Sequence, residues 1–188
     1  IVASLVGSEM CIRDRGVERL VKLASNENPR GPSPVVVAAA QQALSQIHRY
    51  PDSNGYYLKQ KLAQWHGVSA DCITLGNGSN DILELVASAY LEKGDSAVYS
   101  QYGFIVYPLA IARSGATAVV VPAKAFGHDL SAMVKAIDET TKVVYIANPN
   151  NPTGTYVGAA ELQTFLKSVP ATTVCLLYTS DAADERNS

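Results

Sequence analysis

Residues 143–154 read Val-Val-Tyr-Ile-Ala-Asn-Pro-Asn-Asn-Pro-Thr-Gly. The run Val143–Ala147 is near-continuously apolar, as expected of a strand covered on both faces of its sheet. Turn-forming residues then fill positions 148–154, and Leu162, Phe165 and Leu166 next fall on one face of a helix. A buried strand, a loop and an amphipathic helix in that order form the repeating unit of an α/β protein.

The same alternation extends in both directions. Upstream, Asp129 caps a helix carrying Leu130, Met133, Val134 and Ile137, and Ala118–Val121 reads as a strand. A helix over roughly 103–113 precedes it, and Ala97-Val98-Tyr99 is another strand. Further back, Gly76-Asn77-Gly78 turns a strand at Cys72–Leu75 into a helix with Ile82, Val86 and Ala89, which Gly94-Asp95 ends. Ser33 caps an earlier helix with Pro34 at its first position and Val37, Ala40, Leu44 and Ile47 on one face. After the break at Pro51–Gly55, a second helix turns Leu58, Leu62 and Trp65 inward and stops at Gly67. Leu20–Ala24 is a short apolar piece, and Thr172–Val174 begins one more strand. The sequence predicts a three-layer αβα protein with a mostly parallel sheet.

Composition excludes several classes. The chain has 188 residues, 47% hydrophobic and 17% charged, with a formal charge of −2. It has no basic run of the kind that binds a phosphate backbone, so no nucleic-acid partner is expected. No apolar stretch reaches the roughly 20 residues of a membrane span. Cys11, Cys72 and Cys175 have neither metal nor disulfide-framework spacing, which points to a reducing cytoplasm. His48, His66 and His128 are far apart and lack HExxH spacing, so no metal is expected. Residues 1–15 and 175–188 show neither helical nor strand period and resemble read-through peptides at the ends of gene fragments; they are expected to be non-native tails.

Three loops follow strands or precede helices, where an open sheet gathers ligands. Gly76-Asn77-Gly78-Ser79-Asn80-Asp81 offers close backbone approach, a hydroxyl and a helix N-terminus suited to an anion. Ser100-Gln101-Tyr102-Gly103-Phe104 places a ring where it can stack on a flat ligand. In Asn148–Gly154, Pro152 restrains Asn151 to an extended conformation and aims its amide from the sheet edge. Taken singly, the first is also an ordinary capped helix start, and the second a tyrosine half-packed at the rim. The first is not a dinucleotide fingerprint, since Asp81 stands at the third glycine position, and there is no GxxxxGK[ST] or GxSxG motif.

Together these loops resemble the fold type I pyridoxal-phosphate enzymes of the aspartate-aminotransferase superfamily. The resemblance rests on Leu23–Pro29 with Gly31-Pro32-Ser33-Pro34, Arg49-Tyr50-Pro51-Asp52, Gly76–Asn80, Tyr102-Gly103-Phe104 and Pro149–Gly154, in the family's order across 16–174. The first two motifs narrow it to the histidinol-phosphate aminotransferase branch. That resemblance implies that Gly78, Ser79 and Asn80 hold the phosphate of pyridoxal 5'-phosphate, that Tyr102 stacks on its ring, and that Asn151 bonds its phenolic oxygen. It further implies that Tyr50 reaches the cofactor of a neighbouring subunit in a homodimer, and that Asn26 and Glu27 lie in the segment that closes over substrate. The implied reaction exchanges an amino group between histidinol phosphate and 2-oxoglutarate. An aromatic aminotransferase, a phospho-amino-acid decarboxylase and a non-catalytic nucleotide-binding domain are the alternatives.

The family's Schiff-base lysine, in a Ser-Lys context, and its aspartate beneath the pyridine nitrogen have no counterpart in residues 1–188. The chain is therefore expected to be an inactive N-terminal fragment. In it, 16–50 would be the N-terminal segment and first helix, part of a small domain or arm. Residues 51–174 would be the first half of the cofactor-binding large domain.

Overall fold

The computed structural model describes residues 28–178. Leu20–Ala24, Asn26, Glu27, the segment 1–15 and residues 179–188 lie outside the described residues.

Four parallel strands form one sheet: β1 (Ser96–Ser100), β2 (Thr117–Val121), β3 (Thr141–Ala147) and β4 (Val174–Tyr178), in the order β2-β1-β3-β4. The helices are α1 (Pro34–Ala43), α2 (Tyr56–His66), α3 (Ser79–Tyr90), α4 (Val106–Ser114), α5 (Leu130–Lys135) and α6 (Ala159–Ser168). β3 is central and buried as its apolar run requires: all of Val143–Ala147 are fully covered. Its alternate side chains feed two cores. Val143 and Tyr145 join Ala97 and Tyr99 of β1 under α3 and α4, through Leu83, Ala87, Tyr107 and Ile111. Val144 and Ile146 join Val98 and Val121 under α5 and α6, through Leu130, Met133 and Phe165. Burying each large apolar side chain stabilises the fold by about 1.5–3 kcal/mol, so the central strand anchors both layers.

Several local expectations hold. Ser33 caps α1, with its hydroxyl accepting from the Val36 N–H and Pro34 at the first position. Gly67 stops α2, and Asp129 caps α5 by accepting from the Ala132 N–H. Other expectations are corrected. Cys72–Leu75 is not a strand: a 3-10 turn covers Ala70–Cys72, and Ile73–Leu75 pairs with no described strand. Leu58 and Trp65 do not turn inward but are 55% and 80% exposed, because no described element packs over that face of α2. Val37, Leu44 and Ile47 are likewise exposed. The helix expected over 103–113 starts at Val106, and Ile137 falls beyond the end of α5. The chain segment after Val174 also differs from expectation, since Cys175–Tyr178 continues as β4, in register with Val144–Ala147. β-Propensity in Cys-Leu-Leu-Tyr is enough for a strand once β3 supplies a ladder.

Candidate functional site

β1 and β3 are neighbours, yet the chain leaves β1 toward β2 on one side and β3 toward β4 on the other. The loops after these two strands therefore diverge and leave a crevice at the carboxyl edge, the position where open α/β sheets bind ligands. Tyr102 stands in the loop after β1, and Asn148–Gly154 is the loop after β3.

Buried side chains hold this crevice in shape. Asn150 is 3% exposed, and its amide nitrogen donates to the Tyr102 carbonyl (3.0 Å) and to Thr153 Oγ1 (2.8 Å). One carboxamide thus ties the loop after β3 to the loop after β1. Its Oδ1 is buried and has no hydrogen-bond partner among the described residues. Asn148 closes the loop on itself: its Oδ1 accepts from the Val157 N–H (2.8 Å) and its Nδ2 donates to the Val157 carbonyl (2.9 Å). His128 Nε2 lies 2.8 Å from the Ala147 carbonyl, at the last residue of β3. A carbonyl only accepts, so Nε2 carries a proton and donates it. Burial holds the His128 pKa below its ordinary value, against the opposing pull of the Ala147 carbonyl.

Asn151 is half-buried in the turn Asn151–Thr153, and both Asn148–Pro149 and Asn151–Pro152 are cis. Among the described residues, none bonds the Asn151 carboxamide. Tyr102 is 39% exposed, its ring 5.4 Å from that of Phe126 and tilted by 32°. The rim packing considered for Tyr102 is thus present, with enough ring left uncovered to stack. Gly103 is required beside it, because a Cβ there would stand 2.9 Å from both the Ser100 carbonyl oxygen and the Tyr107 ring.

Gly78, Ser79 and Asn80 form the start of α3. Gly78 has φ +85°, and a Cβ built on it would meet nothing within 4 Å, so the space above it is open. No side chain caps this end. The Asp81 carboxylate instead takes the Asn77 N–H (2.8 Å) and side-chain amide (3.1 Å), and no described side chain takes the N–H groups of Ser79 or Asn80. α3 spans about 18 Å and β1 about 17 Å, and the tight connection of 91–95 joins the end of one to the start of the other. Packed along the sheet through Leu83 and Ala87, α3 therefore brings its first turn to the level of the strands' carboxyl ends. No described hydrogen bond or ring contact links it to Tyr102 or Asn151. Tyr50 is fully exposed and joins none of the others. Asn26 and Glu27 are outside the described residues.

Asn148, Asn150, His128 and Phe126 were not anticipated as site residues. The two asparagines lie inside a run whose letters were read, but only the fold shows which amide turns inward.

The fold and crevice define an α/β protein of the aminotransferase kind: residues 18–181 match the family described as aminotransferase class I and II, and the chain belongs to that family. Among its relatives, histidinol-phosphate aminotransferase 2 of Pseudomonas fluorescens is 60% identical over 158 residues, 84% of this chain and 43% of that protein. Histidinol-phosphate aminotransferase 1 of Psychrobacter arcticus is 52% identical over 171 residues, 90% of this chain and 45% of that one. The crystal structure of histidinol-phosphate aminotransferase from Sinorhizobium meliloti, in complex with pyridoxal-5'-phosphate, superposes with a TM-score of 0.86 at 31% identity, over 92% of this chain and 47% of that one. The chain spans under half the length of these relatives. Among the described residues, no helix is long and apolar enough to cross a membrane.

Proposed function

We propose that this chain is the N-terminal part of a pyridoxal-phosphate-dependent aminotransferase. It would exchange an amino group between histidinol phosphate and 2-oxoglutarate, as a homodimer in the cytoplasm. The observation that carries the reading is the crevice between β1 and β3, where Asn150 joins the loop bearing Tyr102 to the loop bearing Asn151. The names of the relatives at 60% and 52% identity favour histidinol phosphate as substrate.

The residues present fit the cofactor. An open approach above Gly78 and the N–H groups of Ser79 and Asn80 suit its phosphate, which the positive end of α3 attracts. The Tyr102 ring would cover one face of the pyridine, and the Asn151 amide would donate to the phenolic oxygen. Tyr50 is wholly exposed, and in a homodimer it would reach a neighbouring subunit's site. When bound, the cofactor supplies an electron sink for breaking bonds at the amino-acid α-carbon. This chain's part is to bind and orient it. No Ser-Lys dipeptide occurs in residues 1–188, so the chain by itself is expected to be inactive.

The test is to express the whole reading frame that carries 16–174, load it with pyridoxal phosphate and supply histidinol phosphate with 2-oxoglutarate. Glutamate formation supports the proposal. Glutamate formed only with phenylalanine or tyrosine as donor would move the reading to an aromatic aminotransferase, and carbon dioxide release from a phospho-amino acid to a decarboxylase. Failure to take up the cofactor would leave a non-catalytic α/β domain.

A further inference from the structure

Between β2 and α5 the chain makes a two-residue hairpin at Lys124–Gly127, closed by reciprocal hydrogen bonds, Lys124 N–H to Gly127 carbonyl (3.1 Å) and Gly127 N–H to Lys124 carbonyl (2.9 Å). Both central residues have positive φ, Ala125 at 48° and Phe126 at 63°. Turns of this kind normally take Asn-Gly, because a Cβ is penalised at both positions. Strain of this sort persists only where the surroundings impose it and tends to mark functional sites.

Packing into the protein interior does not account for it. Phe126 is 64% exposed and belongs to neither core. Its ring contact is with Tyr102, at 5.4 Å. A polar chain also binds the turn to the crevice: Thr155 Oγ1 donates to the Phe126 carbonyl (3.4 Å) and pairs with Thr153 Oγ1 (2.9 Å). Thr153 Oγ1 accepts from Asn150 Nδ2, which also donates to the Tyr102 carbonyl. Tyr102 is thus held at its backbone and at its ring by one connected set of residues.

We propose that Phe126 is a positioning residue for Tyr102: the strained turn sets its ring against the Tyr102 ring, fixing the plane on which a flat ligand stacks. The inference rests on the proposed cofactor reading and adds to it. A ring already oriented loses less freedom when the ligand arrives, so the gain appears in binding.

The experiment measures pyridoxal phosphate affinity and release in the full-length protein, for wild type, Phe126→Ala, Phe126→Gly, Phe126→Tyr, Tyr102→Ala and the Tyr102→Ala/Phe126→Ala pair. Apo-protein Tm is recorded alongside. Phe126→Ala and Phe126→Gly should each weaken cofactor binding about twofold to tenfold, the range of one aromatic pair. Phe126→Tyr should retain it. Phe126→Gly, freed of the positive-φ penalty, should have the higher apo Tm of the two truncations. Removing Phe126 should have no further effect once Tyr102 is gone. Cofactor affinity that follows Tm across the series, or equal losses in both backgrounds, overturns the positioning role. A wild type that never takes up the cofactor overturns the proposed function and this inference with it. A wild type that binds, with Phe126→Ala binding equally well, overturns the inference alone.

Discussion

Replacing Asn150 by aspartate keeps the side-chain shape and removes both of its donors. The Tyr102 carbonyl and Thr153 Oγ1 lose bonds of 3.0 and 2.8 Å at a site where Asn150 is 3% exposed, so water cannot take over. Each such bond is worth about 1 kcal/mol net, and the carbonyl left without a donor adds about 1 kcal/mol more. The introduced carboxylate also faces an oxygen in a buried setting, which raises its pKa in the folded state. Asn150→Asp should therefore lose about 2–4 kcal/mol at pH 8. With a urea m-value of about 2 kcal/mol/M, the midpoint falls by about 1–2 M. The sign of the pH dependence follows from that raised pKa. The folded state binds the proton first, so the deficit relative to wild type shrinks as pH falls through the folded pKa toward the unfolded one. Urea unfolding followed by circular dichroism at pH 8 and pH 5 measures both effects. A loss below about 0.5 kcal/mol, or a deficit that does not change between the two pH values, refutes the clamp.

Gly103→Ala brings a methyl to 2.9 Å from the Ser100 carbonyl oxygen, a backbone atom that cannot step aside, and should cost about 1–3 kcal/mol. Thermal unfolding checks it, and an unchanged Tm would mean that the turn before α4 relaxes freely. Burial disfavours the charged form of His128 in the fold and holds its pKa below the ordinary 6.5. The unfolded chain therefore takes up this proton first as pH falls, and stability should decline below about pH 6.5. His128→Gln keeps a donor for the Ala147 carbonyl and cannot titrate, so it should flatten that part of the stability curve. An equally steep acid limb in the variant would assign the decline to other groups.

The sequence announced the layers better than the edges. Val143–Ala147 declared a doubly covered strand because the run is near-continuously apolar, and the two cores divide on its alternate residues. Cys72–Leu75 misled for the opposite reason. A strand exists only where a neighbour supplies a ladder, and no described strand does so there. Cys175–Tyr178 was passed over although β3 offers it one. Near the crevice, the positions of Tyr102 and Asn151 in loops after β1 and β3 were legible because turn residues following a buried strand are a local signal. Asn150, one residue from Asn151, was not, since its role depends on a carbonyl 48 positions away. Phe126 gave no sign at all, for Ala-Phe is an improbable sequence for a turn with two positive φ angles.

The strand order has a consequence for how the chain becomes native. β1 pairs first in sequence with β2, a short excursion, whereas Ser96 meets Thr141 only across a separation of 45 positions. That closure is the entropically demanding step, and the crevice does not exist before it. The Asn150 bond to Tyr102 spans the same two strands' loops, so it can form only in molecules that have completed the long-range pairing. Its formation marks the moment when a chain with a correct local helix and strand content has also acquired the correct topology.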